Sequence, residues 1–216
     1  MFKSLIQKTY LIIILSVFSF SFSHAKDDYR VESQVIVLEK ALQMEPFGLL
    51  KQKENGYLYV DVSNDFIAEI LPLIEAPGKL VPPSDYTNKK GIGAHISVIY
   101  EQELIENEIW HIQELEHVFT FQVKELRTVK LNKNGKTKKL WLLAVDAPDL
   151  ENLRLSYGLA PKLKGHDFHI TLGYQIPGNA CIYGLGEHSN YWLISEEDGD
   201  EWDNSGDELS VYPAAA

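Results

Sequence analysis

"GHDFHITLGY", residues 165–174, reads as a β-strand with its chemistry on one face. Alternate side chains of a strand point the same way, so His169 and Thr171 share one face while Ile170 and Leu172 share the other. Earlier in the chain, "GAHISVIY" (93–100) repeats the arrangement, with His95 and Ser97 on one side and Ile96 and Val98 on the other. An imidazole beside a hydroxyl, backed by aliphatic residues, therefore occurs twice.

The text leading into each motif repeats as well. "YLYVDVS" (57–63) alternates and is rich in β-formers, which predicts a strand. Asn64 or Asp65 can then cap "FIAEILPLIEA" (66–76), whose spacing predicts an amphipathic helix ending near Pro77-Gly78, with Pro72 as a kink. A loop, "LVPPSDYTNKKGIG" (80–93), delivers the first motif strand. In the second half "KLWLLAVDA" (139–147) predicts a strand, and Pro148-Asp149 opens a helix over "DLENLRLSYGLA". The lysine-bearing loop "PKLKGHD" (161–167) then delivers the second motif strand. Outside these units, 26–34 is a polar lead-in and "VIVLEKAL" (35–42) fits either a strand or a short helix. "EQELIENEIW" (101–110) predicts a short helix, "HVFTFQVKELRTVKL" (117–131) one or two strands, and "KNGK" (133–136) a hairpin. The expected fold is α+β: two lobes of duplicated strand–helix–strand units, with antiparallel sheets around a central cleft.

With 216 residues, 45% apolar and 24% charged, the chain can bury a substantial core. Its first 25 residues stand apart. Lys3 and Lys8 precede an uncharged run from Thr9 to Ala25 that contains "YLIIILSVFSF" and closes on "SHA". That order predicts a cleaved secretory signal, with an apolar part of about 13 residues against the roughly 20 of a membrane span. The expected location is secreted or periplasmic, with no stable membrane association after cleavage. Residues 26–194 are expected to form the two-lobed domain, and 195–216 an acidic, disordered tail; the protein is expected to be a monomer. The lone Cys181 excludes an internal disulfide framework and a cysteine-rich zinc site, and reads as a small buried hydrophobe.

The net charge of −11 would argue against a nucleic-acid ligand if it were evenly spread. From Glu187 onward there are nine acids and no Lys or Arg, whereas residues 26–186 hold 22 acids and 18 bases. Residues 124–139 carry seven Lys or Arg and one Glu. A phosphate ligand is compatible with such a body, and the acidic tail is a candidate docking element for a protein partner.

If the two motif strands lie side by side, two imidazoles flank a space bounded by two hydroxyls. With ordinary pKa values near 6.5, one histidine can be neutral and the other protonated at neutral pH. Such a pair suits phosphodiester cleavage: one ring takes a proton from the attacking oxygen and the other gives one to the leaving oxygen. Ser97 and Thr171 would donate hydrogen bonds to the non-bridging phosphate oxygens. Chance predicts fewer than one such motif among the seven histidines, and two occur. Tyr100 and Tyr174, each five residues after its histidine, read equally as base-stacking side chains and as core aromatics. Lys90 and Lys164, with Lys89 and Lys162, read as cations that draw in a phosphate or as solvated loop lysines. His166 and His169 have the H-x-x-H spacing, but on a strand they face opposite ways, so no metal site is expected there. His111, His117 and His188 are read as structural, and no cofactor is implied.

Paired His-x-Ser/Thr-aliphatic motifs on a duplicated α+β unit resemble the 2H phosphoesterase superfamily, over roughly Tyr57 to Tyr174. The resemblance implies His95 and His169 as acid and base, and Ser97 and Thr171 as phosphate binders. It also implies a metal-independent phosphodiesterase acting on a 2′,3′-cyclic phosphate or on a short RNA or oligonucleotide, 2′,5′-linked or cyclic. Two other readings stay open. One is a non-catalytic nucleotide-binding or partner-binding protein on the same scaffold. The other is a metal-dependent hydrolase, for which the sequence offers no carboxylate–histidine set with ligand spacing.

Overall fold

The computed structural model describes residues 29–133 and 136–176. The leader expected over 1–25, Cys181, His188 and the acidic tail from 195 lie outside the described residues. Among the described residues nine strands form one sheet: β1 Tyr29–Val31, β2 Phe47–Gln52, β3 Leu58–Val62, β4 Lys79–Val81, β5 His95–Ile99, β6 Val118–Thr120, β7 Gln122–Lys133, β8 Lys136–Asp146 and β9 His169–Ile176. The helices are α1 Val35–Leu42, α2 Asp65–Ala68, α3 Ser84–Thr87, α4 Glu101–Glu106 and α5 Pro148–Ser156.

The sheet order is β1-β7-β8-β9-β5-β3-β2-β6, with β4 added beside the outer half of β9, and neighbouring strands run antiparallel. The order is symmetric about its middle. Each half contributes a hairpin (β2–β3 or β7–β8), a short helix, and a motif strand that returns beside the second hairpin strand. The two motif strands, β5 and β9, meet at the centre. Leading strands are exchanged: β1, which precedes the first half, pairs with β7, and β6, which precedes the second, pairs with β2. The duplicated α+β architecture is therefore present, built on one continuous sheet rather than on separate ones.

Alternation puts the aliphatic residues of the central strands on one face. Val60, Ile96, Val98, Leu143, Ile170 and Leu172 lie there, all but inaccessible, with Phe66, Ile67 and Ile70 from the α2 region and Leu150 and Leu153 from α5. Each helix crosses over: α2 touches β9 and α5 touches β5. The opposite face of β5 and β9 is left to His95, Ser97, His169 and Thr171.

Some local expectations fail for identifiable reasons. The helix expected over 66–76 stops at Ala68 and gives way to a 3-10 turn at Leu71–Leu73. Pro72 has no N–H for the fourth residue before it, Ala68, and its ring collides with that carbonyl. Residues 35–42 are a helix, with Val37 and Ala41 as the buried stripe. The loop expected over 80–93 contains the end of β4 and the single turn α3, and the lead-in over 26–34 contains β1. β2 at Phe47–Gln52 was not anticipated. The hairpin expected at 133–136 is present as the β7–β8 pair, whose register begins at Lys133↔Lys136.

Candidate active site

The two motif strands pair at one position, Ile96↔Ile170. Continuing that antiparallel register sets His95 opposite Thr171 and Ser97 opposite His169. Their outer neighbours agree, since Asp61 pairs with His95, Tyr59 with Ser97, Ala144 with His169 and Leu142 with Thr171. All four motif side chains therefore stand on one face, half-buried, while Ile96 and Ile170 lie in the core. The two histidines are diagonal neighbours across the strand pair, which puts their Cβ atoms about 7–8 Å apart. Beyond this point β9 leaves β5 and takes β4 as its partner, with Val81 opposite Tyr174.

The two rings are held the same way. His95 Nδ1 donates to the Gly93 carbonyl at 2.9 Å, and His169 Nδ1 donates to the Asp167 carbonyl at 3.1 Å. A carbonyl can only accept, so each Nδ1 carries the proton, and Nε2 is the nitrogen each ring offers to a ligand. Burial lowers the pKa of His169, opposed by its bond to the Asp167 carbonyl and reinforced by His166, His95 and Arg127.

Each i−2 carbonyl has its own support. Gly93 adopts φ +76°, and a Cβ built there would lie 2.3 Å from Asn64 Oδ1, the atom that accepts the Ala94 N–H at 2.8 Å. Glycine is thus required where Asn64 clamps the entry to β5. On the other side Asp167 is fixed through its carboxylate by Arg127 Nη2 at 2.8 Å, by Lys162, and at 3.4 Å by Lys124. Arg127, nearly inaccessible, also pairs with Glu125 and lies 3.8 Å over the Tyr29 ring. Burial raises the Asp167 pKa, but hydrogen bonds from Lys162 and Arg127 outweigh it and hold the carboxyl well below the usual range.

The first half adds a row of tyrosines. Tyr57 OH shares a 2.5 Å hydrogen bond with Ser97 Oγ, and Tyr57 stacks at 5.8 Å on Tyr59 and at 5.9 Å on Tyr100. Tyr57 and Tyr59 both approach the His95 ring edge-on, at 6.2 and 5.9 Å. Asp61, which pairs with His95 in the ladder, is held by Lys51 at 2.6 Å.

Tyr100 and Tyr174 pose a geometric puzzle. Five residues is an odd offset, so each should face away from its histidine. A β-bulge resolves it in both strands. The register steps from Tyr59↔Ser97 to Leu58↔Ile99, skipping Val98, and from Leu142↔Thr171 to Trp141↔Gly173, skipping Leu172. One extra residue restores the parity and returns each tyrosine to the histidine face. At the first bulge, Arg154 Nη1 donates to the Val98 carbonyl at 2.6 Å. At the second, Gly173 lets the strand pass Val81, since a Cβ there would be 2.7 Å from the Val81 carbonyl oxygen.

The lysines divide. Lys164 lies 5.0 Å over the Tyr100 ring, reaching from the second half to the first. Lys162 is engaged with Asp167. Lys89 and Lys90 are exposed on the loop before β5, and the cation beside Tyr174 is Lys138, at 5.7 Å. Among the described residues no group of three or more His, Cys, Asp or Glu is arranged to hold a metal ion. Sequence reasoning missed Tyr57, Arg127, Asp167 and Asn64 as supports. Only Tyr57 had a visible signal, because the alternation of "YLYVDVS" puts Tyr57, Tyr59 and Asp61 on one face.

Residues 58–180 match a family model described as "Swiss Army Knife, 2H phosphoesterase domain". The match spans more than half of the chain, starts at the first residue of β3 and takes in both motif strands. No curated protein and no solved structure matches the chain.

Proposed function

Because the chain belongs to the 2H phosphoesterases, we propose that it is a phosphodiesterase with His95 and His169 as its acid–base pair. Its substrate in this reading is a nucleoside 2′,3′-cyclic phosphate or a short oligonucleotide, 2′,5′-linked or cyclic. The observation that carries the reading is the matched tethering of the two imidazoles, each fixed through Nδ1 and each offering Nε2 on the same face. His169, whose neutral form is favoured by burial, takes the proton of a water as its oxygen attacks phosphorus. The bond from phosphorus to one ribose oxygen breaks, and His95, as the acid of the pair, delivers a proton to that oxygen, leaving a phosphomonoester. Solvent exchange then restores both rings. Ser97 and Thr171 donate to the non-bridging oxygens, where negative charge grows. Where Tyr57 OH is the donor in the bond the two hydroxyls share, the Ser97 proton is left for the phosphate. We extend the proposal to an exported enzyme, on the support of Lys3, Lys8, the apolar run after them and "SHA" at 23–25.

The test is turnover of the four nucleoside 2′,3′-cyclic phosphates with and without chelator. The wild-type protein should act on at least one of them and survive chelation. His95→Ala or His169→Ala should lower the rate by about 10²–10⁴-fold. The double variant should be little worse than the worse single one, because the two groups act as a unit. Binding without turnover would establish the binding-protein reading, and chelator-sensitive activity restored by zinc would establish a metal enzyme.

A further inference from the structure

The bulges do more than turn two side chains. Because β5 and β9 are antiparallel, Tyr100 and Tyr174 leave the histidine pair in opposite directions along the groove. Counting register positions and leaving out the bulge residues, the two tyrosines are about six residue rises apart, or ~20 Å. The His/Ser/Thr quartet lies midway between them. Each tyrosine is half-buried, and each carries a lysine on its ring, Lys164 at 5.0 Å on Tyr100 and Lys138 at 5.7 Å on Tyr174. The lysines come from unrelated positions, one from the loop before β9 and one from the β7–β8 hairpin. The halves have thus built the same aromatic–cation element from different residues, at equal distance from the centre.

An aromatic ring stacks on any nucleobase, and a cation beside it draws the flanking phosphate. One such element would suit a mononucleotide, whose single base leaves a second element idle. We infer that the groove is built for a phosphodiester joining two nucleosides, with one base against Tyr100 and Lys164 and the other against Tyr174 and Lys138. This rests on the phosphodiesterase reading above and narrows its substrate to an internal linkage in a short oligonucleotide. In the corresponding step the ribose hydroxyl next to the linkage attacks phosphorus and gives its proton to one histidine. The bond from phosphorus to the next nucleoside's oxygen breaks, and that oxygen takes a proton from the other histidine. The products are a 2′,3′-cyclic phosphate and a nucleoside with a free hydroxyl, with no further reactant. Either a 3′,5′ or a 2′,5′ linkage gives these products, because the attacking hydroxyl is the one the linkage leaves vacant.

The experiment compares a ribodinucleoside phosphate of each linkage with a nucleoside 2′,3′-cyclic phosphate, using the full chain and its Tyr100→Leu, Tyr174→Leu, Lys138→Ala and Lys164→Ala variants. Leucine keeps bulk while removing the stacking face. The wild-type protein should have the higher kcat/KM on one of the dinucleosides. Both leucine variants should lose about tenfold or more on it, the scale of one base–aromatic stack, and Tyr→Phe should restore most of the loss at each position. On the cyclic mononucleotide the two losses should be unequal, since one base can occupy one clamp. Preference for the mononucleotide, or equal losses on both substrates, would overturn the inference while leaving the histidine chemistry intact. If the wild-type protein turned over none of these substrates, binding of a 2′-deoxy dinucleoside phosphate would decide instead. Affinity that depends on both tyrosines upholds the two-base groove, and affinity indifferent to either overturns it.

Discussion

Arg154→Leu should be among the most damaging single substitutions outside the histidine face. The Arg154 side chain is completely inaccessible, and its guanidinium makes four hydrogen bonds. Nη1 reaches the Val98 carbonyl at 2.6 Å and Glu103 Oε2 at 3.1 Å, Nη2 reaches Glu103 Oε1 at 2.6 Å, and Nε reaches the Ala160 carbonyl at 2.7 Å. Leucine replaces the aliphatic stem but strands two carbonyls and a carboxylate. Losing one partner of a buried ion pair costs about 3–5 kcal/mol. Each stranded carbonyl could add 1–3 kcal/mol, but part of that returns as hydration, because Glu103 is partly exposed. The net expectation is a loss of about 3–5 kcal/mol, or roughly 10 °C in Tm for a domain of this size. Urea titration followed by circular dichroism measures the first, and a thermal melt the second. Glu103→Gln, which leaves the buried guanidinium without its counter-ion and turns an amide NH2 towards one of its donors, should lose a comparable amount. Since Val98 is the residue skipped by the β5 bulge and Glu103 also accepts the Tyr100 N–H, the variant should misplace Tyr100 before it unfolds. A loss below about 1 kcal/mol would refute the argument, because it would mean that water reaches the Val98 carbonyl.

Further outcomes follow from the site. Tyr57→Phe keeps the stacked rings and removes the 2.5 Å bond to Ser97, so kcat/KM should fall about fivefold to tenfold, the scale of one hydrogen bond. In a Ser97→Ala background the same change should have almost no effect, and an additive double-mutant cycle would show that Tyr57 does not act through Ser97. Asp167 contributes stability that is fully present above the usual carboxylate range and is lost as pH falls towards its lowered pKa. Asp167→Asn should therefore destabilise at neutral pH and flatten the acid limb of the stability–pH curve; an unchanged limb would remove the Arg127–Asp167–Lys162 cluster from the account. With His169 as base and its pKa lowered chiefly by burial, the acidic limb of kcat/KM should have its midpoint below pH 6.5, the ordinary histidine value. A midpoint above that value, read from initial rates on a cyclic phosphate, would reverse the assignment of base and acid.

What could be read from the sequence was what the strand period carries. His95 with Ser97, His169 with Thr171, and the aliphatic residues between them follow from alternation alone, and the repeat then brings the two strands together. The parity of Tyr100 and Tyr174 could not be read, because a bulge shifts the period without leaving a mark in residues such as Val98 or Leu172. The Arg127–Asp167 pair was also hidden, since it joins positions 40 residues apart through a register that exists only in the folded sheet. The helix over 66–76 was overextended for the opposite reason: its apolar spacing was sound, but the backbone rule at Pro72 overrode it. β4 is three residues long and owes its strand character to pairing with the far end of β9 rather than to its own text.

The position of β9 has a consequence for how the protein is made. The last strand described is not at the margin of the sheet but in its middle, between β8 and β5. While the ribosome is still synthesising the chain before residue 169, β5 therefore offers an open edge, flanked by β3 on one side only, and open edges invite pairing with other chains. β1 likewise waits for β7, nearly a hundred residues downstream, and such distant pairings form slowly. A chain interrupted before β9 would not be a weakened version of the finished protein. It would hold one of the two motif histidines, no groove and an aggregation-prone seam, since the strand that closes the sheet is also the strand that brings the second imidazole to the first.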